Sequence, residues 1–200
     1  MPDAMLVGLM SGTSMDAIDA ALVRTNGKHL ELLDCLEYPM PPQCRRDIAD
    51  LSHSDHQEIE RMGQLDRRLG RLFAQATLDL LAQAGVDRSL VRAIGSHGQT
   101  IRHRPPSAAT SDDAPFTLQI GDPNTIAEIT GITTVADFRR RDLAAGGEGA
   151  PLAPAFHAAV FSTPGKRRAI VNIGGIANVT LLDNDKVLGF DCGPGNTLLD

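Results

Sequence analysis

Residues 8–23 read Gly8-Leu-Met-Ser-Gly-Thr-Ser-Met-Asp-Ala-Ile-Asp-Ala-Ala-Leu-Val23 and place glycines, hydroxyl side chains and two carboxylates between two apolar runs. The runs Met5 to Met10 and Ala17 to Val23 predict two strands of a hairpin, because short apolar segments bounded by turn residues are typical of strands. A third run, Leu30 to Leu36, follows the turn signal Asn26-Gly27. The N-terminal region is therefore predicted to be an antiparallel three-stranded meander.

The rest of the chain alternates between helical and strand patterns. Apolar residues recur every three or four positions from Gln57 to Ala84, which predicts an amphipathic helix that ends at Gly85. Further elements are predicted as strands at Val91–Ile94, Phe116–Ile120, Thr133–Ala136, Ala169–Ile173, Asn178–Leu182 and Val187–Phe190, helices at Thr125–Thr130 and Pro154–Phe161, and a glycine-rich loop at Asp142–Ala150. A meander followed by β/α alternation indicates an α/β domain with a mixed sheet.

Composition limits the classes of function. The chain of 200 residues has 25 acidic and 19 basic side chains and a formal net charge of -6. This balance argues against nucleic-acid binding, which needs clustered Lys and Arg. No segment approaches the ~18 consecutive apolar residues of a membrane span, and the N-terminus lacks the basic region of a secretory signal. We therefore expect a cytoplasmic protein with neither nucleic-acid nor membrane partners.

The cysteines and one histidine pair are interpreted as structural. Cys35, Cys44 and Cys192 form no C-x-x-C pair, so a disulfide framework or a zinc site is not expected. His53 and His56 stand three residues apart, a spacing that would suit two metal ligands on one helical face. Without a third ligand nearby, the start of a helix explains them better.

The turn in the opening segment has two interpretations. Glycine lets a backbone approach a ligand closely, and the N–H groups and hydroxyls of Gly12-Thr13-Ser14 are suited to phosphate oxygens. Asp16 and Asp19 add carboxylates that could position a metal-bound water. Alternatively, these residues form an ordinary tight hairpin, in which Gly, Ser, Thr and Asp are common.

Two further turns of the same composition favour the first interpretation. Asn172 to Asn178, which contains Gly174 and Gly175, lies between two apolar runs. Asp191 to Thr197 follows another run, contains Gly193, Gly195 and Asn196, and is predicted to open a helix whose N–H groups could face an anion. Three such turns in one small domain indicate a metal-nucleotide site. The fingerprints of P-loop, Rossmann and α/β-hydrolase proteins are missing.

Asp191 and a polar cluster in the middle of the chain are candidates for chemistry. A carboxylate at a strand end beside a phosphate-binding turn is suited to act as the general base of a phosphotransferase, although Asp191 could equally cap a helix. The cluster delivers small polar and amide groups for a polyhydroxylated ligand, with Arg139 available for a carboxylate. Its candidate substrate-binding residues are Ser96, His97, Gln99, Asp122, Asp137 and Arg139, of which His97 could instead be structural.

Seven motifs occur in order along nearly the whole chain. They are Gly8–Asp19, Gly95–Thr100, Leu118–Asp122, Asp137–Asp142, Gly149–Leu152, Val171–Asn178 and Gly189–Asn196. Together they resemble the anhydro-N-acetylmuramic acid kinase family, and seven linked motifs are far more specific than any one of them. The sequence departs from the family pattern at Ala17, where glycine is common, and at Cys192, where threonine is frequent and a hydroxyl contact is in doubt.

The resemblance implies a fold and a reaction. The fold is a ribonuclease H-like mixed five-stranded sheet with helices, as in actin, hexokinase and Hsp70-like ATPases. Residues 1–170 would form the N-terminal lobe with the phosphate turn and sugar cluster, and residues 171–200 the start of an incomplete second lobe. The reaction opens 1,6-anhydro-N-acetylmuramic acid with water and phosphorylates it from ATP, giving N-acetylmuramic acid 6-phosphate and ADP in peptidoglycan recycling.

The expected site follows from these motifs. The cofactors are ATP and Mg2+, with Asp16 and Asp19 near the metal through water, and Asp191 is the catalytic base. A homodimer is among the expected assemblies. The residues expected to bind ATP are Gly12, Thr13, Ser14, Met15, Asp16, Ala17, Ile18, Asp19, Gly174, Gly175, Gly193, Gly195 and Asn196. The alternative is a nucleotide-gated binding or chaperone-like module of the same superfamily, which would need no polar sugar site.

Overall fold

The computed structural model describes residues 3–27, 29–53, 58–109, 114–184 and 186–196. The chain divides into two compact units. The first comprises Met1–His103 with Leu118–Asp137, and the second comprises Arg104–Thr117 with Phe138–Asp200. These units do not follow the predicted division at residue 170, which remains a prediction about lobes. Across the described ranges, no helix combines the length and apolar character needed to cross a membrane.

The larger sheet is mixed, as predicted. Strands β1 and β2 and strands β2 and β3 pair antiparallel, which confirms the meander, whereas β4 runs parallel to β1. The order is β3-β2-β1-β4-β5, and a short β6 pairs with β4. This path matches the five-stranded sheet expected for the α/β class. The strands are β1 (Ala4–Ser11), β2 (Ala17–Thr25), β3 (Leu30–Pro39), β4 (Val91–Arg104), β5 (Phe116–Ile120) and β6 (Thr134–Val135).

Helices cover one face of this sheet. They are α1 (Pro42–His53), α2 (Glu58–Ala84) and α3 (Pro123–Thr130), and 3-10 turns lie at Arg88–Leu90 and Pro106–Ala108. Alternate residues of β1 and β2 are buried, because successive side chains of a strand point to opposite faces. The core contains Val7, Leu9, Ile18 and Leu22 from these strands and Leu65, Leu69, Phe73 and Leu80 from α2.

The second unit has its own small sheet. Helix α4 (Phe138–Ala144) and helix α5 (Ala153–Phe161) precede strands β7 (Arg167–Ile173), β8 (Ile176–Asp183) and β9 (Lys186–Pro194), which pair antiparallel in chain order. Helix α5 packs on one face of this sheet, where His157 Nδ1 lies 2.9 Å from the hydroxyl of the buried Thr180. Gly189 of β9 lies against Pro154, which leaves no room for a Cβ atom there.

Several predicted elements differ from the structure. Helix α1 was missed because its prolines suggested a break, although Pro42 occupies its first turn, where proline is tolerated. Helix α4 occupies part of the predicted glycine loop. Strand β4 continues past Ile94 because its pairing with β1 extends as far as Gln99. Asp191 lies within β9 and does not follow it. The histidine pair falls outside the described residues at His56.

Candidate active site

The turn between β1 and β2 is organised around Asp16. Its Oδ1 atom accepts hydrogen bonds from Ser14 Oγ at 2.6 Å and from the N–H of Ala17 at 3.0 Å. Its carbonyl oxygen accepts from the N–H of Met40 at 2.9 Å, and the N–H of Met15 donates to Gly12 O at 3.3 Å. The hydroxyl and carboxylate of the predicted phosphate turn are therefore held in a fixed arrangement.

The other predicted residues of this turn have different environments. Thr13 and Asp16 are exposed, and a Cβ atom added to Gly12 would meet only Ser14 Oγ at 3.9 Å, so the side of the turn at Gly12 is open. Met15 has a positive φ of 55° and packs against the core. Ile18 is 0% exposed, so only its backbone can contact a ligand.

The two carboxylates of the turn differ in their electrostatics. The hydrogen bond from Ser14 is the main reason that the pKa of Asp16 lies below its ordinary value. Burial, followed by the negative charges of Glu37 and Asp16, raises the pKa of Asp19. Within the described ranges no three His, Cys, Asp or Glu residues form a metal cluster. Two carboxylates fit Mg2+ bound largely by water and phosphate, because Mg2+ usually keeps several of its waters.

The predicted sugar residues of β4 point in different directions. Ser96 and Gln99 are 1% and 2% exposed, and Ser11 Oγ donates to Gln99 Oε1 at 2.6 Å. Ser96 lies beside Leu9 of β1 in the register, on the side of the sheet that faces the core, and its hydroxyl has no hydrogen-bond partner among the residues that the structure describes. His97 is half-buried, with Nδ1 2.9 Å from Gly98 O. His97 is therefore the most accessible of the three.

Asp122 caps helix α3. Its carboxylate accepts hydrogen bonds from the hydroxyl of Thr125 and from the N–H of Asn124, the latter at 3.0 Å, and lies 3.5 Å from Arg67 Nη1. Burial acts to raise the pKa of Asp122, but these hydrogen bonds outweigh it and the pKa is lowered. Asp66, which no sequence motif indicates, accepts a hydrogen bond from the N–H of Gly121 at 2.7 Å and fixes the same turn.

In the second unit, the structure joins two of the predicted glycine turns. The N–H of Gly195 donates to Gly175 O and the N–H of Asn196 donates to Gly174 O, both at 2.8 Å. The approach is so close that a Cβ atom on Gly195 would collide with the carbonyl oxygen of Gly174. Asn196 Nδ2 also donates to Ile173 O at 3.2 Å. Of the helix predicted at Asn196–Asp200, residues 197–200 lie outside the described residues.

Asp191 lies next to these joined turns. It is exposed on β9 and stands opposite Asn178 of β8, which in turn stands opposite Asn172 of β7. Directly opposed residues of antiparallel strands share a face of the sheet, so the three polar residues form a row. The register shifts between Ala177 and Asn178, which leaves Cys192 unpaired as a bulge beside Asp191. Such bulges are common next to active sites, where they redirect a side chain.

Arg139 lies close enough to Asp191 for their charges to interact. Burial lowers the pKa of Arg139, and the negative charge of Asp191 acts in the opposite direction. Arg139 Nη1 donates to Gly149 O at 2.7 Å. Asp137, predicted to act with Arg139, is exposed, has a φ of 64° and belongs to the first unit. The predicted base and the predicted carboxylate-binding side chain therefore both belong to the second unit, and their charges interact.

Comparisons with known proteins bear on this arrangement. Anhydro-N-acetylmuramic acid kinases are similar to this chain: that of Shewanella loihica is 54% identical over 97% of this chain and 52% of its own length. That of Coxiella burnetii is 53% identical over 100% of this chain and 53% of its own length, and that of Aliivibrio fischeri is 50% identical over 97% and 52%. The chain thus spans about half the length of the curated relatives that it matches.

Solved structures are more distant. A Ppx/GppA family member of Aquifex aeolicus is 10% identical, with a TM-score of 0.45 over 99% of this chain and 54% of that chain. A reductive activator for corrinoid, iron-sulfur protein is 14% identical, with a TM-score of 0.49 over 96% and 31%. The family model described as AnmK, anhydro-N-acetylmuramic acid kinase, matches residues 4–200. The chain therefore belongs to the anhydro-N-acetylmuramic acid kinase family.

Proposed function

We propose that this protein is an ATP-dependent sugar kinase that opens 1,6-anhydro-N-acetylmuramic acid with water and phosphorylates it to N-acetylmuramic acid 6-phosphate. The observation that carries the proposal is the family match, which runs over residues 4–200 and extends to relatives that bear this activity as their name. Peptidoglycan recycling is the setting in which such a sugar arises, and the use of ATP suits the cytoplasm. The chaperone-like alternative is not favoured by these matches.

The first unit supplies the predicted phosphate turn. Its open side at Gly12, the exposed Thr13 and the fixed Ser14 suit contacts to phosphate oxygens. When bound with ATP, Mg2+ would neutralise charge on the phosphates, and Asp16 and Asp19 would hold it through water. In the second unit, the backbone groups of the joined turns at Gly174–Gly175 and Gly195–Asn196 are proposed as further ligands of the nucleotide. Gly193, which lies between Asp191 and Gly195 in the sequence, is proposed to act with them.

Asp191 is proposed as the general base. Its carboxylate takes a proton from a water molecule, the water oxygen bonds to the anomeric carbon, and the bond from that carbon to O6 breaks. The released O6 then bonds to the γ-phosphorus of ATP, and ADP leaves with the electrons of the broken P–O bond. Asp191 finally releases its proton to solvent. The exposed position beside the Cys192 bulge supports this role.

Arg139 is proposed to bind the lactyl carboxylate of the sugar. A guanidinium pairs with a carboxylate through two parallel hydrogen bonds, and Arg139 carries its charge near Asp191. His97 and Asp137 are proposed to contact sugar hydroxyls. Ser96, Gln99 and Asp122 are buried, and would shape the backbone behind these groups.

The test is an ADP-release assay on the complete gene product. Three sugars are compared, namely 1,6-anhydro-N-acetylmuramic acid, N-acetylmuramic acid and glucose. We expect ADP release with the anhydro sugar alone, and its loss in Asp191→Asn. Asp183→Asn is the matched control, because Asp183 is an acidic residue of the same sheet whose ion pair is with the exposed Arg167. An active Asp191→Asn protein contradicts the base assignment, and turnover of glucose contradicts the substrate.

A further inference from the structure

Side chains of helix α4 hold both backbone polar groups of Gly149, its N–H and its carbonyl oxygen. Arg139 Nη1 donates to the carbonyl oxygen of Gly149, and the N–H of Gly149 donates to Asp142 Oδ2, each at 2.7 Å. Arg139 and Asp142 are three residues apart, so they lie on one face of the helix. We call these three residues the Gly149 clamp. It was not anticipated from the sequence, in which Asp142 carried no assigned role.

Asp142 also organises the loop that leads to Gly149. Its carbonyl oxygen accepts hydrogen bonds from the N–H groups of Ala145 at 3.0 Å and Gly147 at 2.9 Å. Its carboxylate lies directly against Gly147, where a Cβ atom would collide with it. Gly149 has a φ of 74°, a conformation that favours glycine. Both the backbone and the side chain of Asp142 therefore determine where Gly149 lies.

The position of Gly149 in turn restrains Arg139. An arginine side chain loses rotamer entropy when it is fixed, and a side chain that is already held loses less of it on binding a ligand. The clamp fixes Nη1 and so directs the guanidinium plane of a half-buried side chain. Arg139 and Asp191 belong to the same unit and their charges interact, so a sugar that reacts at Asp191 would be within the electrostatic influence of the guanidinium.

We propose that Asp142 is a positioning residue that holds Arg139, through Gly149, in the orientation that binds the lactyl carboxylate, and so sets the preference for sugars that bear this group. The inference rests on the proposed function. The lactyl carboxylate is the only ionised group of 1,6-anhydro-N-acetylmuramic acid, and 1,6-anhydro-N-acetylglucosamine is the same sugar without the lactyl ether that carries this carboxylate. The ratio of kcat/KM for the two sugars therefore measures the preference for the lactyl group, and the change of this ratio on substitution of Asp142 measures the contribution of the clamp.

The test compares this ratio in variants of the complete gene product. Asp142→Ala is expected to lower the ratio about tenfold, since a lost hydrogen bond to a charged group costs about 1.5 kcal/mol or more. The loss should appear as a higher KM for the lactyl sugar, with the KM for ATP unchanged. Asp142→Asn keeps an acceptor oxygen for the N–H of Gly149 and should restore the wild-type ratio to within about threefold.

A second loop contact provides the control. Ser107 donates to Glu148 Oε2 from its N–H at 3.2 Å and from its hydroxyl at 2.7 Å, immediately before Gly149. Ser107→Ala removes the hydroxyl hydrogen bond to Glu148 but leaves the Gly149 clamp unchanged. The ratio of kcat/KM for the two sugars in this variant should therefore equal that of the wild type. If circular dichroism shows that Asp142→Ala is unfolded, Asp142→Ser replaces it, because the shorter side chain does not reach Gly149.

The outcomes separate the two proposals. An unchanged ratio in a folded Asp142→Ala or Asp142→Ser protein overturns the positioning role while leaving the kinase activity intact. Asp142→Asn as damaging as Asp142→Ala also overturns it, because the acceptor would then not be what matters. A wild-type protein that phosphorylates neither sugar overturns the proposed function, and the inference with it.

Discussion

Replacing Gly195 by alanine should separate the two joined glycine turns. The new Cβ atom would collide with the carbonyl oxygen of Gly174, which is a backbone atom and cannot turn away. The hydrogen bonds from the N–H groups of Gly195 and Asn196, both 2.8 Å long, would then be lost or stretched. At about 1 kcal/mol net for each bond, the free energy of unfolding should fall by about 2 kcal/mol.

Two measurements check this expectation. For a protein of this size a loss of about 2 kcal/mol lowers the Tm by roughly 4–8 °C, as followed by circular dichroism. If ATP binds the protein only while the two turns are joined, calorimetry should give a Kd for ATP that is roughly 30-fold higher in Gly195→Ala than in the wild type. Gly174→Ala is the matched control for the Tm, because its Cβ atom would meet neighbours only at 3.7 and 3.9 Å. A Gly195→Ala protein with unchanged Tm and unchanged Kd for ATP would show that the close approach of Gly195 to the carbonyl oxygen of Gly174 is not needed for stability or binding.

Three further substitutions have defined outcomes. Gly63→Ala, at an exposed position inside α2 with no atom near the new Cβ, should stabilise the protein by about 0.5–1 kcal/mol in urea unfolding. Asp122→Ala removes the cap of α3 and should cost about 1 kcal/mol; since the folded pKa of Asp122 lies below 3.8, the difference from wild type should be complete above that pH and shrink below it. Asp19→Asn should raise the Tm at pH 7 but not at pH 3, because burial raises the pKa of Asp19 and the ionised carboxylate therefore opposes folding. The same variant should need a higher Mg2+ concentration for activity.

Local patterns predicted most of the fold. The meander, helix α2 and the strands of the second unit were predictable because alternation and helical periodicity are properties of neighbouring residues. Helix α1 carries such a signal as well, with Cys44, Ile48 and Leu51 buried at spacings of four and three. The prolines at and before its start hid that signal, although proline is favoured at the first position of a helix.

The candidate site was only partly predictable. The sequence Asp122-Pro-Asn-Thr125 is a helix-start signal, so the capping role of Asp122 could have been inferred from it. The burial of Ser96 depends on which face of β4 is turned toward the core, and the register with β1 shifts between Leu9 and Ser11, so the position of Gln99 does not follow from that of Ser96. The contact between Asp66 and Gly121 joins residues far apart in sequence, and no local pattern indicates it.

The Gly149 clamp, like the contact between Asp66 and Gly121, could not be predicted from a local sequence pattern. Asp142 and Gly149 are close in sequence, but their hydrogen bond depends on the turn that follows α4, and glycine-rich turns have many conformations. The approach of Arg139 to Asp191 depends on the packing of the second unit. Composition therefore identified which groups are present, whereas packing determined which of them meet.

Oxygen labelling tests most directly whether water attacks the anomeric carbon of the sugar and O6 becomes the phosphorylated oxygen. The complete gene product is given 1,6-anhydro-N-acetylmuramic acid and ATP in water enriched in oxygen-18, the reaction is stopped early, and the product is fragmented in a mass spectrometer. If water attacks the anomeric carbon, the product carries one labelled oxygen on that carbon and none in the phosphate ester, because O6 comes from the sugar itself. Label in the phosphate group and none on the anomeric carbon would contradict this mechanism.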